Sequence, residues 1–434
     1  MSIDLFKPIV PMDKLNRNFS ILKDGALNEP TRVMMNKAFE FFNDIDGNFL
    51  EQFQTTGFDA RVFELYLSSY FLEAGYKLNR DYDRPDFIVE RDGYKVAIEA
   101  TTVNSTVDRK QIMDGKKAHR DLTLEELYEK LRNELPIKFG SPLFSKLNKK
   151  YWELNHCKDI PLVLAIEAFH EEDSLSFTSN ALIQYLYGIR HELHIDEEGR
   201  DSVNKSDINE HRSGNKVIPS VFFQQPYTEN ISAIIFTNSG TTAKFKRMGY
   251  YYGCVSSFIK MYREGVCYDF DPKALRPKEF KYDLDNRIDE SWGEGLEVFH
   301  NPKANFPLPK DFFDDAAYHY IEDGEVLSFL PEFHIYHSKT LTIEFEDNLI
   351  LPGNIKRVMK TDVDRFIPSR NQLPKYPEKC WLIKGQRIGI IVMDVDGEAF
   401  LSFIYEYDDE GFEVASINTF KGFNEAGTYL VENL

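Results

Sequence analysis

Apolar and polar positions alternate most clearly in the segment Pro85-Asp86-Phe87-Ile88-Val89-Glu90-Arg91-Asp92-Gly93-Tyr94-Lys95-Val96-Ala97-Ile98-Glu99-Ala100-Thr101. Two apolar-rich runs around Asp-Gly predict a β-hairpin with a two-residue turn. With Asp92 and Gly93 in the loop, Arg91 faces Tyr94, Glu90 faces Lys95, Ile88 faces Ala97 and Asp86 faces Glu99. Side chains alternate across a strand, so Phe87, Val89, Val96, Ile98 and Ala100 share a core face. The opposite face carries Asp86, Ile88, Glu90, Lys95, Ala97, Glu99 and Thr101.

Helical spacing predicts helices near Pro30–Phe42, Asp59–Glu73, Leu122–Leu135, Pro142–Leu154 and Thr178–His191. Ser141 suits an N-cap there, and Pro142 the first helical position. The apolar runs Leu162–Glu167 and Ile231–Thr237 predict buried strands. Residues 195–217 are polar and aperiodic, as in a long surface loop. Beyond Tyr250 the chain turns aromatic-rich and Pro-punctuated. Leu341–Glu346, Ile388–Met393 and Ala399–Tyr407 then alternate as in a β-meander. The pattern suggests a helical extension (1–50), an α/β or α+β domain (51–250), a connecting region (251–330) and a β-rich C-terminal domain (331–434).

Composition changes this picture little: 42% hydrophobic and 28% charged residues are ordinary for a globular chain. The net charge of −19 opposes non-specific adhesion to nucleic acid or anionic membranes, without excluding a local basic groove. The longest apolar runs fall short of the ~20 residues of a spanning helix, so no membrane segment is expected. Cys157, Cys254, Cys267 and Cys380 form no C-x-x-C pair and fit a reducing, cytoplasmic location. The first residues lack the apolar core of a signal peptide.

Asp86 opposite Glu99 is the feature that calls for explanation. Like charges facing each other destabilise a ladder, and a divalent cation is the simplest compensation. A hydrated, solvent-facing hairpin surface is the plain alternative. Glu64 adds a third acid. Its helical neighbours are Ala60, Arg61, Leu67 and Ser68, and so apolar a setting asks for a partner. That partner is either a shared cation or simply Arg61.

The order of these parts resembles the PD-(D/E)xK, or restriction-endonuclease-like, nuclease superfamily. A helix bearing Glu64 precedes Pro85-Asp86, then Glu99-Ala100-Thr101, a helix and an apolar strand, over residues 56–170. The resemblance implies a restriction-endonuclease-like core, with a mixed central sheet flanked by helices. It implies Asp86 and Glu99 as acids binding Mg²⁺ or Mn²⁺, and Glu64 as an accessory acid. It also implies phosphodiester hydrolysis in nucleic acid, DNA ahead of RNA, and in many members a homodimer.

Thr101 stands where the superfamily places a lysine. A hydroxyl brings no positive charge to the transition state. Lys146 and Lys150, four apart beside the stripe Leu143, Phe144, Leu147, Tyr151 and Leu154, are the expected substitutes; a solvated helix face is the alternative. No Gln precedes Tyr151 by four residues, so the Q-x-x-x-Y motif of some members does not match. A basic groove of Lys146, Lys149, Lys150, Lys244 and Lys246 would reconcile the acidic total with a nucleic-acid partner.

Other signals are weaker. His191 and His194 lack the HExxH spacing and read as a polar helix end. His300, His334 and His337 read as structural. Lys244, Lys246 and Arg247 follow Thr237-Asn238-Ser239-Gly240-Thr241-Thr242, a run that reads either as backbone and hydroxyl donors to phosphate or as a plain turn with solvated lysines. No Walker A loop, G-x-G-x-x-G or G-x-S-x-G is present. A catalytically inactive nuclease-like fold, serving as a nucleic-acid- or protein-binding module, is the competing reading.

Overall fold

The computed structural model describes residues 3–434 apart from 46, 105–121, 170–173, 177–178, 196–197, 199–200, 255–258, 287–289, 345–353, 355, 358–377, 394–398 and 409–410. Asn16 caps α1 (Arg17–Asp24) by accepting from the backbone N–H groups of Asn18 and Phe19. Pro30 stands in the first turn of α2 (Glu29–Glu40), where a missing N–H is tolerated. After α3 (Phe49–Gln54) comes α4 (Phe58–Glu73). It is apolar around most of its circumference and buries Val62, Phe63, Leu65, Tyr66, Leu67, Tyr70 and Phe71.

Strands β1 (Lys77–Asn79), β2 (Phe87–Arg91) and β3 (Tyr94–Asn104) pair antiparallel in succession. Asp92 (φ 51°) and Gly93 (φ 81°) are both left-handed, as a two-residue hairpin turn requires. The turn fixes the register read from the sequence, with Glu90 opposite Lys95 and Ile88 opposite Ala97.

Helix α5 (Leu124–Glu129) opens on a capping box between Thr123 and Glu126 and runs through a π-helical segment into α6 (Leu135–Leu147). This corrects the expected helix Pro142–Leu154: Pro142 lies inside α6, which ends before Lys150. Leu135, Phe139, Leu143 and Leu147 keep one apolar stripe across the proline, and packing of that stripe outweighs the lost hydrogen bond. Gly140 permits the close approach, because a Cβ there would meet Ile218 Cδ1 at 2.8 Å and Tyr185 Cε2 at 2.9 Å.

Beyond β4 (Leu162–Phe169), α7 (Asn180–Tyr187) stops at Gly188 (φ 71°), short of His191. His191 and His194 therefore lie on β5 (Ile189–Ile195), not at a helix end. Two antiparallel ribbons occupy most of the expected 195–217 loop: β5 with β6 (Asp201–Asp207), and β7 (Glu210–Ser213) with β8 (Lys216–Pro219).

The rest of the chain contributes β9 (Ala233–Thr237), α8 (Thr242–Tyr251), β10 (Ile259–Cys267), β11 (Lys278–Asp283), β12 (Leu296–His300), β13 (Ala317–Glu322), β14 (Glu325–Phe329) and β15 (Ile335–Glu344). The central sheet has the order β1-β2-β3-β4-β9-β12-β13-β14. Its β3–β4, β4–β9 and β12–β13 steps are parallel, which makes it mixed. Three of its strands come from residues 296–329, the stretch expected only to connect.

Alternation sorts the strand residues into two cores. Ile98, Ala100, Val163, Ala165 and Ile235 pack with α2, α4 and α8. Ala97, Val103, Leu164, Ile166 and Phe236 pack with α6 and α7. Both faces are covered, giving three layers.

A three-stranded sheet, β11-β10-β15, adjoins this body. The C-terminal part forms a meander as expected, of β16 (Lys356–Arg357), β17 (Glu378–Lys384), β18 (Arg387–Met393), β19 (Phe400–Asp408) and β20 (Gly411–Phe420), but Leu341, expected to belong to it, lies on β15 and pairs with β10 instead. The closing helix α9 (Phe423–Asn433) buries Phe423, Ala426 and Leu430 against it. Among the described residues no helix is long and apolar enough to cross a membrane.

Candidate functional site

Glu99 sits on the α6 face of β3, between Ala97 and Thr101, and is 4% exposed. Its Oε1 accepts from Tyr151 Oη at 2.6 Å and from Lys146 Nζ. Lys146 comes from the last turn of α6, and Tyr151 from the short 3₁₀ turn beyond it. Oε2 of Glu99 is buried with no hydrogen-bond partner among the described residues. Buried acceptors are nearly always satisfied, so this oxygen is left able to accept a further donor or a cation.

Asp86 immediately precedes β2. Extending the observed Phe87–Ile98 pairing by one step places it opposite Glu99. Its Oδ2 accepts from the Ala100 backbone N–H at 2.7 Å. Burial holds the Asp86 carboxyl well above the usual carboxylate range, and the charges of Glu64 and Glu99 raise it further. Lys146 and the Ala100 N–H act in the opposite sense.

Glu64 is buried on α4, and Arg61 Nη1 donates to its Oε2 at 2.6 Å. Burial raises the Glu64 carboxyl, Arg61 and Arg80 oppose the rise, and Glu99 adds to it. The three acids thus feel one another. Glu64 has its charge partner in Arg61, as one of its two sequence readings held.

Of the expected lysines, only Lys146 reaches the acids. Because α6 ends at Leu147, Lys150 falls in a left-handed turn (φ 50°). It pairs there with Glu153 at 3.5 Å and lies 5.1 Å from the centre of the Tyr227 ring. Lys95 pairs with Glu90 at 3.7 Å across the hairpin.

The proposed groove also loses a member. Lys244 is fully buried, its Nζ 2.7 Å from Glu290 Oε1. Arg247 binds the same carboxylate through Nε at 2.9 Å and Nη2 at 2.8 Å. These are core ion pairs, so Lys244 is not the solvated turn lysine expected. Glu290 lies more than forty residues downstream, and no local pattern announces it.

Sequence reasoning placed Tyr151 in an apolar stripe and missed its bond to Glu99. It missed Arg80 altogether, a lone arginine in the irregular stretch after β1. Among the described residues no three His, Cys, Asp or Glu side chains form a group able to hold a metal ion by themselves. What Asp86 and Glu99 offer together is a pair of hard carboxylate oxygens, with Oε2 of Glu99 unpartnered. That suits a cation keeping most of its waters, as Mg²⁺ does. No protein family, curated protein or solved structure matches the chain.

Proposed function

We propose that the chain is a Mg²⁺- or Mn²⁺-dependent nuclease of the restriction-endonuclease-like type, hydrolysing phosphodiester bonds in nucleic acid, DNA ahead of RNA. The observation that carries this reading is the position of Lys146. It delivers an ammonium to Glu99 from α6, supplying the cation that Thr101 lacks.

Asp86 and Glu99 would hold the metal. When bound, it makes an attacking water acidic and offsets charge on the scissile phosphate. The chain's own groups do the rest. Lys146 Nζ has donors to spare beyond Glu99 and orients the water towards phosphorus. A bond forms from the water oxygen to phosphorus as the bond to the leaving sugar oxygen breaks; the attacking water gives up a proton to solvent and the leaving oxygen takes one from it. Tyr151 keeps the Glu99 carboxylate aimed through its 2.6 Å bond. Arg61 keeps Glu64 from adding a full uncompensated charge beside Asp86.

A second reading is a nuclease-like fold without chemistry, acting as a nucleic-acid- or protein-binding module. The neutralisation of Glu99 by Lys146 and of Glu64 by Arg61 favours it, as does the loss of Lys244 from the groove. Calorimetric titration of Mn²⁺, with plasmid-nicking assays on the same samples, separates the two. Wild type is expected to bind Mn²⁺ and nick DNA, and the Asp86→Ala/Glu99→Ala variant to do neither. Metal binding without cleavage of duplex DNA, single-stranded DNA or RNA would favour the binding module. Absence of metal binding in folded wild type would remove the nuclease reading.

A further inference from the structure

Two arginines flank the acids, and they are used very differently. Arg61 is fully engaged: Nη1 bonds Glu64 at 2.6 Å, Nε bonds Gln52 Oε1 at 3.1 Å and Nη2 bonds Asn48 Oδ1 at 3.3 Å. Among the described residues Arg80 bonds nothing through Nε or Nη1, although both atoms are buried. Its guanidinium is fixed by aromatic rings, with Cζ 3.5 Å from the centre of Phe42 and 4.9 Å from that of Phe87. Phe42 is 5% exposed and Phe87 fully buried, so neither ring is free to move away.

Arg80 feels the charges of Glu64 and Asp86 yet hydrogen-bonds neither. A cation recruited only to neutralise those acids would close on one of them, as Arg61 does. Each unpaired N–H belongs to a rigid, permanently charged plane, and a phosphodiester oxyanion is a fitting acceptor for such a donor. The charge balance agrees. Glu64, Asp86 and Glu99 are already matched in number by Arg61, Arg80 and Lys146. A divalent cation on Asp86 and Glu99 would leave surplus positive charge, which an anionic phosphodiester satisfies.

We propose that Arg80 is the phosphate-binding residue of this site, one of its unpaired N–H groups donating to a non-bridging oxygen of the substrate phosphodiester. The assignment rests on the nuclease reading above. It makes Arg80, rather than a surface lysine groove, the chain's main contact to the scissile group.

The test uses the full chain, Mn²⁺ alone as metal probe, and fluorescently labelled duplex and single-stranded DNA and RNA as substrates. Arg80→Gln is expected to keep Mn²⁺ affinity within about threefold while kcat/KM falls by about 100-fold, the scale of a lost oxyanion donor. Arg80→Lys keeps the charge without the planar guanidinium and should recover part of the loss. Arg80→Gln cleaving like wild type would overturn the assignment while leaving the nuclease reading intact. Loss of Mn²⁺ affinity in step with cleavage, in both variants, would overturn it too, since Arg80 would then only prop up the carboxylates. Wild type that binds Mn²⁺ but cuts no substrate would overturn both readings and leave the metal site standing. Wild type that neither binds nor cuts would remove all three.

Discussion

Lys146 and Glu99 form a pair whose partners cannot be removed singly without cost. The Lys146 side chain is 18% exposed and that of Glu99 is 6% exposed. Lys146→Ala would strand a buried carboxylate on the Tyr151 hydroxyl alone, an expected loss of about 3–5 kcal/mol. Adding Glu99→Gln should return much of it, because a neutral amide needs no counter-charge; urea unfolding of the three variants measures this. A loss of under about 1 kcal/mol in Lys146→Ala would show the pair to be no stronger than a surface ion pair. A second buried group acts through pH. His300 is 8% exposed, its Nε2 has no partner among the described residues, and burial lowers it from 6.5 to about 4, helped by His319 and Lys310. Above pH 6.5 the ring is neutral folded or unfolded and contributes nothing. Between 6.5 and 4 only the unfolded chain takes the proton, so stability falls as pH falls, by up to roughly 3 kcal/mol. Urea midpoints at pH 7 and pH 4.5 should therefore lie closer together in His300→Phe than in wild type.

At the scale of elements, the packing of α2 against α8 depends on one missing side chain. A Cβ on Gly249 would collide with the Pro30 carbonyl oxygen and lie 3.2 Å from Met34 Cβ. Glycine-to-alanine within a helix ordinarily stabilises by about 1 kcal/mol. Here Gly249→Ala is expected to destabilise by about 1–3 kcal/mol through overpacking, read as a lower melting temperature. The hairpin was fully legible because Asp92-Gly93 fixes both turn geometry and register, and register alone brings Asp86 to Glu99. Lys146 was legible through helical spacing, although the helix carrying it was misplaced: Gly140-Ser141-Pro142 looks like a helix start unless the sheet holds the apolar stripe across it. The ribbons β5–β6 and β7–β8 were not legible, because much of their length faces solvent on both sides and leaves no alternation to read. Arg80 had no periodic signal at all, since its fixing depends on Phe42 and Phe87 from separate elements.

Across the whole molecule, the −19 charge hides a buried cationic cluster. Lys244, Arg247 and Arg263 converge on Glu290, and Arg263 also pairs with Glu294. Arg247 and Arg263 further bond Thr340 and Ser338 of β15, so the cluster ties α8 to the three-stranded sheet. Net charge therefore says little about where the positive side chains of this protein are spent. The strand order carries a different consequence, for the chain as it is made. β9 lies between β4 and β12, so residues 233–237 must wait for residues 296–300 before both their edges are paired. A nascent or truncated chain ending near residue 250 would hold both candidate metal ligands and Lys146 yet present the apolar run Ala233-Ile234-Ile235-Phe236 as a bare edge, a template for pairing with another chain. The candidate ligands are thus made early, but β9 has a partner on each side only once synthesis has passed residue 300.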